Sequence, residues 1–168
     1  SIVTAQSFKI QGTFICGTRY QGWESLDILD DVLLRLRDAG IFVMLDLHTL
    51  TYPEGNTGTW CTGSRCDESL TFGAWQVLAT RYCSFPNVIM ADVFNEPFDA
   101  SWSSWRDYVQ RIGNSILYWC DRWLIVAQGS SGEGTHMGYW WGENIAGQIQ
   151  APITLSLPNR LVMSPHVY

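Results

Sequence analysis

Three apolar runs in this sequence end on side chains that can move a proton or hold a polar ligand. IFVMLDLH (41–48) ends on His48, NVIMADVFNE (87–96) on Asn95 and Glu96, and NRLVMSPHVY (159–168) carries His166 and Tyr168 at its end. A carboxyl group, a carboxamide, two imidazoles and a phenol are the parts from which general acid–base chemistry is assembled. A single acid before a turn-forming proline, such as Glu96 before Pro97, is by itself an ordinary surface feature. Three runs that each deliver such a group to one edge are not. Other chemistries lack their residues. GSSGEGTHMG (129–138) is glycine-rich, but Met137 stands where the third glycine of a dinucleotide-binding turn belongs, and no lysine follows as a phosphate-binding loop requires. Glu133 occupies the last glycine place of a G-x-S-x-G nucleophile turn, and no H-E-x-x-H is present. His136 reads as an ordinary loop residue.

The intervening segments must position these groups. Leu26, Leu29, Leu33 and Leu36 recur at three and four residues, which predicts a helix with Ser25 as N-cap, Asp27, Asp30 and Asp31 near its positive end, and Gly40 as its stop. Phe72, Trp75, Leu78, Ala79 and Tyr82 predict a second helix over Ser69 to Cys83, broken by Pro86. Trp102, Trp105, Val109, Ile112 and Ile116 predict a third. RWLIVAQG (122–129) is a further strand, and Tyr139 to Ile145 reads as a short helix. IFVMLDLH and NVIMADVFNE have the character of strands buried on both faces. Strands alternating with helices, with polar groups at the same strand ends, predict a parallel α/β sheet that binds its ligand beyond the carboxyl ends of the strands. Periodicity alone does not separate a doubly wound sheet from a barrel.

Composition narrows the class. The chain has 168 residues, 46% of them hydrophobic, 15% charged, and a net charge of −6. That is a folding composition, with no apolar stretch near the roughly 20 residues of a membrane span. The negative balance argues against nucleic acid or an anionic membrane as partner. Position 1 is Ser and no leader sequence follows, so a leader has been removed or the chain begins inside a longer protein. Of the five cysteines, Cys61 and Cys66 sit in the polar loop TWCTGSRCDES. No second pair or nearby His completes a zinc site there, so no metal is expected. A loop disulfide is the better reading, and it points to an oxidising, extracellular compartment.

Together the motifs resemble glycoside hydrolase family 5, the cellulase-type barrels. NVIMADVFNEPF is similar to the Asn-Glu-Pro signature of that family's fourth strand, VMLDLH to its third, and LPNRLVMSPHVY to its sixth with a His-x-Tyr ending. GYWWGENI resembles the WWGGN segment after strand 5, and LATRY followed by PNVI resembles the link from helix 3 to strand 4. The likeness runs from about Gly22 to the end. Departures are Gln128, where the family often has Glu before the glycine ending strand 5, and Glu143 at the second glycine of WWGGN. Arg19 lies outside the motif of the strand-2 arginine.

The resemblance implies a partial (β/α)₈ barrel of four parallel strands with their helices, strands 3–6 of 8. A whole barrel needs about 250 residues. Residues 1–168 are therefore expected to form a single incomplete catalytic domain, lacking strands 1, 2, 7 and 8 and, with strand 7, the nucleophilic glutamate. The implied activity is hydrolysis of a β-linked polysaccharide, foremost an endo-β-1,4-glucanase. Mannan or β-1,3-glucan are alternative substrates, and a non-catalytic carbohydrate-binding protein is an alternative of another class. Retaining enzymes of this kind use two carboxyl groups about 5–5.5 Å apart. Glu96 is the implied acid/base, which must carry a proton at the first step. Asn95 would bond the sugar 2-hydroxyl, His48 and His166 would line the site, and Tyr168 would orient the nucleophile. Pyranose faces stack on indoles, and Trp60, Trp140 and Trp141 lie in loops where such platforms are needed, Trp140 and Trp141 being the ones placed at the ligand. Trp75, Trp102 and Trp105 are at core spacing. No cofactor is implied, and the full-length enzyme is expected to be secreted and monomeric. In a barrel Cys83 and Cys120 each follow the helix of consecutive units, so they should meet at the N-terminal rim, with Cys16 and the Cys61–Cys66 loop at the opposite rim.

Overall fold

The computed structural model describes residues 19–50, 58–61, 67–98, 100–131 and 139–167. Its elements are α1 (Ser25–Asp38), β1 (Val43–Asp46), α2 (Ser69–Tyr82), β2 (Val88–Asp92), α3 (Trp102–Trp119), β3 (Leu124–Ala127), α4 (Gly147–Gln150) and β4 (Leu161–Met163). The four strands form one sheet in the order β1-β2-β3-β4, every pair parallel. This is the predicted α/β architecture, and each strand is reached from the last by a connection long enough for a parallel crossover.

Register separates the two faces. Leu45, Ala91, Ile125 and Leu161 are partners across the sheet. The first three are buried, and all four pack with the helices, where Leu33, Trp75, Leu78, Tyr82, Trp105, Tyr108, Ile112 and Ile116 meet them. The next row, Asp46, Asp92, Val126 and Val162, lies on the other face because neighbours along a strand alternate. The reading of strands buried on both faces fits β2, where Val88, Ala91 and Asp92 are buried and Ile89 and Met90 part-buried, but not β1. Met44 is 46% exposed and Phe42 70% exposed. The physical reason is that β1 is an edge strand and nothing among the described residues covers its helix-free side.

Helix boundaries follow local chemistry. Ser101 caps α3 by accepting the Ser104 N–H at 3.2 Å, which satisfies one of the orphan donors of the first turn. At α1 the N-cap is the extended Glu24, with no side-chain cap, and Ser25 is the first helical residue rather than the cap. The short helix expected over 139–145 lies instead at Gly147–Gln150. Residues 141–143 form a turn.

The Cys83–Cys120 bridge forms as expected, with the Cα atoms 5.4 Å apart. The two cysteines are the C-caps of α2 and α3, which places the bridge at the end of the sheet opposite the polar strand ends. Arg122 reinforces that rim by donating to the carbonyls of Cys83, Phe85 and Val88. Cys61 is also disulfide-bonded. Cys16 and Cys66 lie outside the described residues.

Candidate active site at the carboxyl ends of the strands

Glu96 sits four residues beyond the end of β2 with φ +50°, in the left-handed region. A side chain other than glycine pays about 1–2 kcal/mol for that conformation, so the surroundings must enforce it. Two contacts do. The Glu96 N–H donates to Gln128 Oε1 at 2.7 Å, and the Glu96 carboxylate meets His166, with Oε1 and Nδ1 2.8 Å apart. The acid predicted from β2 and the imidazole predicted from the end of β4 are thus brought together.

The turn that displaced the short helix completes this corner. The carbonyl of Gly142 accepts the N–H groups of both Gly129, just after β3, and His166, just after β4. Gly142 has φ +70°, and a Cβ there would lie 2.9 Å from Gln128 Oε1, 3.4 Å from His166 Cγ and 3.5 Å from Glu96 Cγ. Only glycine lets the chain approach the three side chains this closely. Glu143 holds the turn by accepting the Trp140 N–H at 2.7 Å, which explains an acid where the family pattern has glycine.

Asn95 is buried, and its Oδ1 accepts from Gln128 Nε2 at 3.3 Å. His48 follows β1 and pairs with Asp46 (Nδ1 to Oδ2, 2.7 Å), with most of its ring exposed. Trp140 and Trp141 are both exposed and lie on the same rim. Trp141 stacks on Phe98 (centroids 4.7 Å, 14° between planes), and Trp140 continues the stack at 6.4 Å and 20°. Tyr168 lies outside the described residues. So does the glycine-rich segment 132–138 with Glu133 and His136. Trp60 departs from expectation. It is buried, stacked on Tyr108 at 4.7 Å and bonded through Nε1 to Glu68, which Arg111 also holds, so it is core and not a platform. Gly58, just before it, accepts the Phe98 N–H at 2.9 Å, which puts this loop at the same rim as Glu96.

Three residues of this region escaped sequence reasoning. Gln128 was noted only as a departure from a pattern, although it ends a strand as Asn95 does. Phe98 closes the NVIMADVFNEPF run but was given no role of its own. Asp92 was hidden inside an apolar run, where a lone acid is itself a signal. It is buried, and burial pushes its carboxyl up to about 7. The neighbouring Asp46 carboxylate adds to the rise, while the Gln128 hydrogen bond and His166 oppose it. Its Oδ1 is buried with no hydrogen-bond partner among the described residues, and the Phe94 main-chain N–H opposes the rise only weakly.

That shift carries a stability consequence. Unfolded, the Asp92 carboxyl loses its proton near 3.8; folded, it keeps it to about 7. Between those values the folded state binds more protons, so stability falls as pH rises through the window and levels off above it. Asp92→Asn removes the titration. The melting temperature of the variant relative to the parent should therefore climb between pH 4 and 7, by up to about 1 kcal/mol of stability per pH unit. Parallel pH profiles of the two proteins would show that the Asp92 carboxyl is not held neutral.

Comparison with known proteins shows the family and the fold. The profile of the family described as Cellulase (glycosyl hydrolase family 5) matches residues 9–168. An endoglucanase of Paenibacillus polymyxa is 38% identical over 156 residues, covering 88% of this chain and 39% of that protein. The major extracellular endoglucanase of Xanthomonas campestris pv. campestris is 34% identical over 161 residues, covering 88% of this chain and 32% of that protein. The solved catalytic domain of the major endoglucanase from Xanthomonas campestris pv. campestris superposes with a TM-score of 0.86 at 30% identity, covering 99% of this chain and 51% of that one. An endocellulase of Pyrococcus horikoshii, solved with cellotetraose, gives 0.74 at 31% identity, covering 88% and 45%. The chain thus spans about two fifths or less of those two curated relatives and about half of the solved chains, as four strands of an eight-stranded barrel would. With its parallel sheet, its Asn-Glu-Pro strand end and a match over nearly all its length, this chain belongs to the cellulase family, glycosyl hydrolase family 5.

Proposed function

We propose that the protein carrying this chain is a secreted endo-β-1,4-glucanase that works with retention, and that these residues supply its acid/base half. The observation that carries the reading is the Glu96–His166 pair at 2.8 Å, on a Glu96 backbone pinned by Gln128 at the polar edge of the sheet. In the first step Glu96 gives its proton to the leaving glycosidic oxygen while a carboxylate from a strand outside these four attacks the anomeric carbon. In the second step Glu96, now a carboxylate, takes a proton from the water that releases the sugar. His166 can serve both states, since its Nδ1 either accepts from the protonated acid or donates to the carboxylate. Asn95, its oxygen turned to Gln128, presents its NH₂ to the sugar 2-hydroxyl. His48 lines the neighbouring strand end, Tyr168 orients the nucleophile, and the stack of Phe98, Trp141 and Trp140 offers apolar faces to pyranose rings.

Secretion is supported by the Cys83–Cys120 bridge and by the relative named as an extracellular endoglucanase. No helix among the described residues is long and apolar enough to cross a membrane. The full-length enzyme is expected to act as a monomer. The test is proton NMR of cellohexaose hydrolysis by that enzyme. The β-anomer of the new reducing end should appear first, with internal bonds cut and with cellulosic substrate preferred over mannan or β-1,3-glucan. First appearance of the α-anomer would overturn retention. Binding without hydrolysis would favour a non-catalytic carbohydrate-binding protein.

A further inference from the structure

Gln128 is almost fully buried, yet every polar atom of its carboxamide is engaged with the residues around Glu96. Its oxygen accepts the Glu96 N–H at 2.7 Å, and its nitrogen donates to Asp92 Oδ2 at 2.7 Å and to Asn95 Oδ1 at 3.3 Å. The orientation of the amide is forced. A backbone N–H can only donate, so the oxygen must face Glu96 and the NH₂ must face the two side-chain oxygens. One side chain on β3's end therefore ties the main chain of the acid to the buried Asp92 and fixes which way the Asn95 amide faces. The glycine at 142 leaves room for this bridge, since a Cβ there would press on Gln128 Oε1 at 2.9 Å.

We infer that Gln128 is a positioning residue for the acid/base, holding Glu96 in its left-handed conformation so that the carboxyl group meets the leaving oxygen. The Gln128 carboxamide is buried and fully taken up by these three residues, so its effect must pass through Glu96 and Asn95. The energetic logic is direct. The φ of +50° at Glu96 is disfavoured for any residue with a side chain, and the Gln128 acceptor is the contact that offsets it at the main chain. Without it the backbone can relax, and a displacement near 1 Å at a reacting group costs about 10²-fold in rate. A glutamate at 128 would still accept from the Glu96 N–H and, with one proton shared between it and Asp92, would keep two of the three contacts, losing only the donor to Asn95 Oδ1. That is consistent with the glutamate the family often carries at this position.

The inference rests on the acid/base reading of Glu96, and the experiment separates the two. Gln128→Met and Gln128→Asn (the latter one carbon shorter, retaining a carboxamide that no longer reaches Glu96) are made in the full-length enzyme. Each is assayed for kcat/KM on cello-oligosaccharides and on 2,4-dinitrophenyl β-cellobioside, whose leaving group needs little protonation. The loss on the oligosaccharide should exceed the loss on the activated substrate by about 10²-fold, mainly through kcat, and Gln128→Glu should restore most of it. An equal loss on both substrates, or no loss, assigns Gln128 to the fold alone and overturns the inference. So does failure of both the Met and the Asn variant to fold. Glu96→Gln run alongside tells which claim has failed. If it too shows no leaving-group selectivity, the acid/base reading falls. If it shows selectivity and the Gln128 variants do not, only the positioning role falls.

Discussion

Glu96→Gln should lower kcat/KM of the full-length enzyme on unactivated β-glucan by about 10²–10⁴-fold, the range that a positioned proton donor contributes. The carboxamide has the shape of the carboxyl group and can still meet His166, so the fold has no reason to change. What it lacks is a transferable proton. The effect should therefore fall on the first chemical step for poor leaving groups and spare the melting temperature. The Glu96 backbone is held by Gln128 through the N–H, which the substitution leaves in place. A variant that kept its activity on β-glucan would assign the acid to another residue. A variant that lost activity because it unfolded would show that the Glu96–His166 contact is chiefly structural.

The second large effect concerns stability and leaves catalysis alone. Opening the Cys83–Cys120 bridge, with Ser at both positions, should cost about 3–4 kcal/mol. The bridge closes a loop of 37 residues that contains β2, the loop carrying Glu96 and all of α3. Most of the loss comes from freeing that loop in the unfolded chain, and a buried hydroxyl at position 120 adds to it. Chemical denaturation of the full-length enzyme with and without the two substitutions measures the difference. kcat at 25 °C should stay unchanged, because the bridge caps α2 and α3 at the rim opposite Glu96. Unchanged unfolding midpoints would mean that the three carbonyl contacts of Arg122 already hold this rim.

The distribution of legible and illegible features has physical causes. The strand β2 and its Asn-Glu-Pro end stood out because an apolar run buried on both faces reads plainly, and because chemistry at a strand end needs polar residues in a fixed place. Helices α2 and α3 followed from their periodic aromatic and aliphatic faces. Cys83 and Cys120 were placed by topology, since consecutive units of one sheet bring their helix ends to one rim. What the sequence concealed depends on contacts between distant segments. The segment 139–145 reads as a short helix, but Gly142 takes φ +70° and gives its carbonyl to the N–H groups at the ends of β3 and β4, so the chain turns there. Trp60 looks like an exposed loop indole, and only the ring of Tyr108 beneath it and Glu68 at its nitrogen make it core. β1 has the composition of a buried strand but is an edge here, so burial followed its neighbours and not its residues. Gln128 gave no periodic signal, because its role is a matter of which atoms lie within hydrogen-bond reach.

In the proposed mechanism Glu96 is the acid/base of a retaining site, not its nucleophile and not a structural acid. Glu96→Gly isolates that role. Glycine tolerates the left-handed backbone at this position and leaves a space where the carboxyl group stood. With a 2,4-dinitrophenyl glycoside the sugar–enzyme bond still forms, but water then lacks its base, and added azide can enter that space and attack in its place. The product configuration should be read by NMR after turnover in azide. Faster turnover with a β-configured glycosyl azide is the result expected of a missing acid/base. An α-configured azide would make Glu96 the nucleophile, and no acceleration by azide would remove it from the reaction.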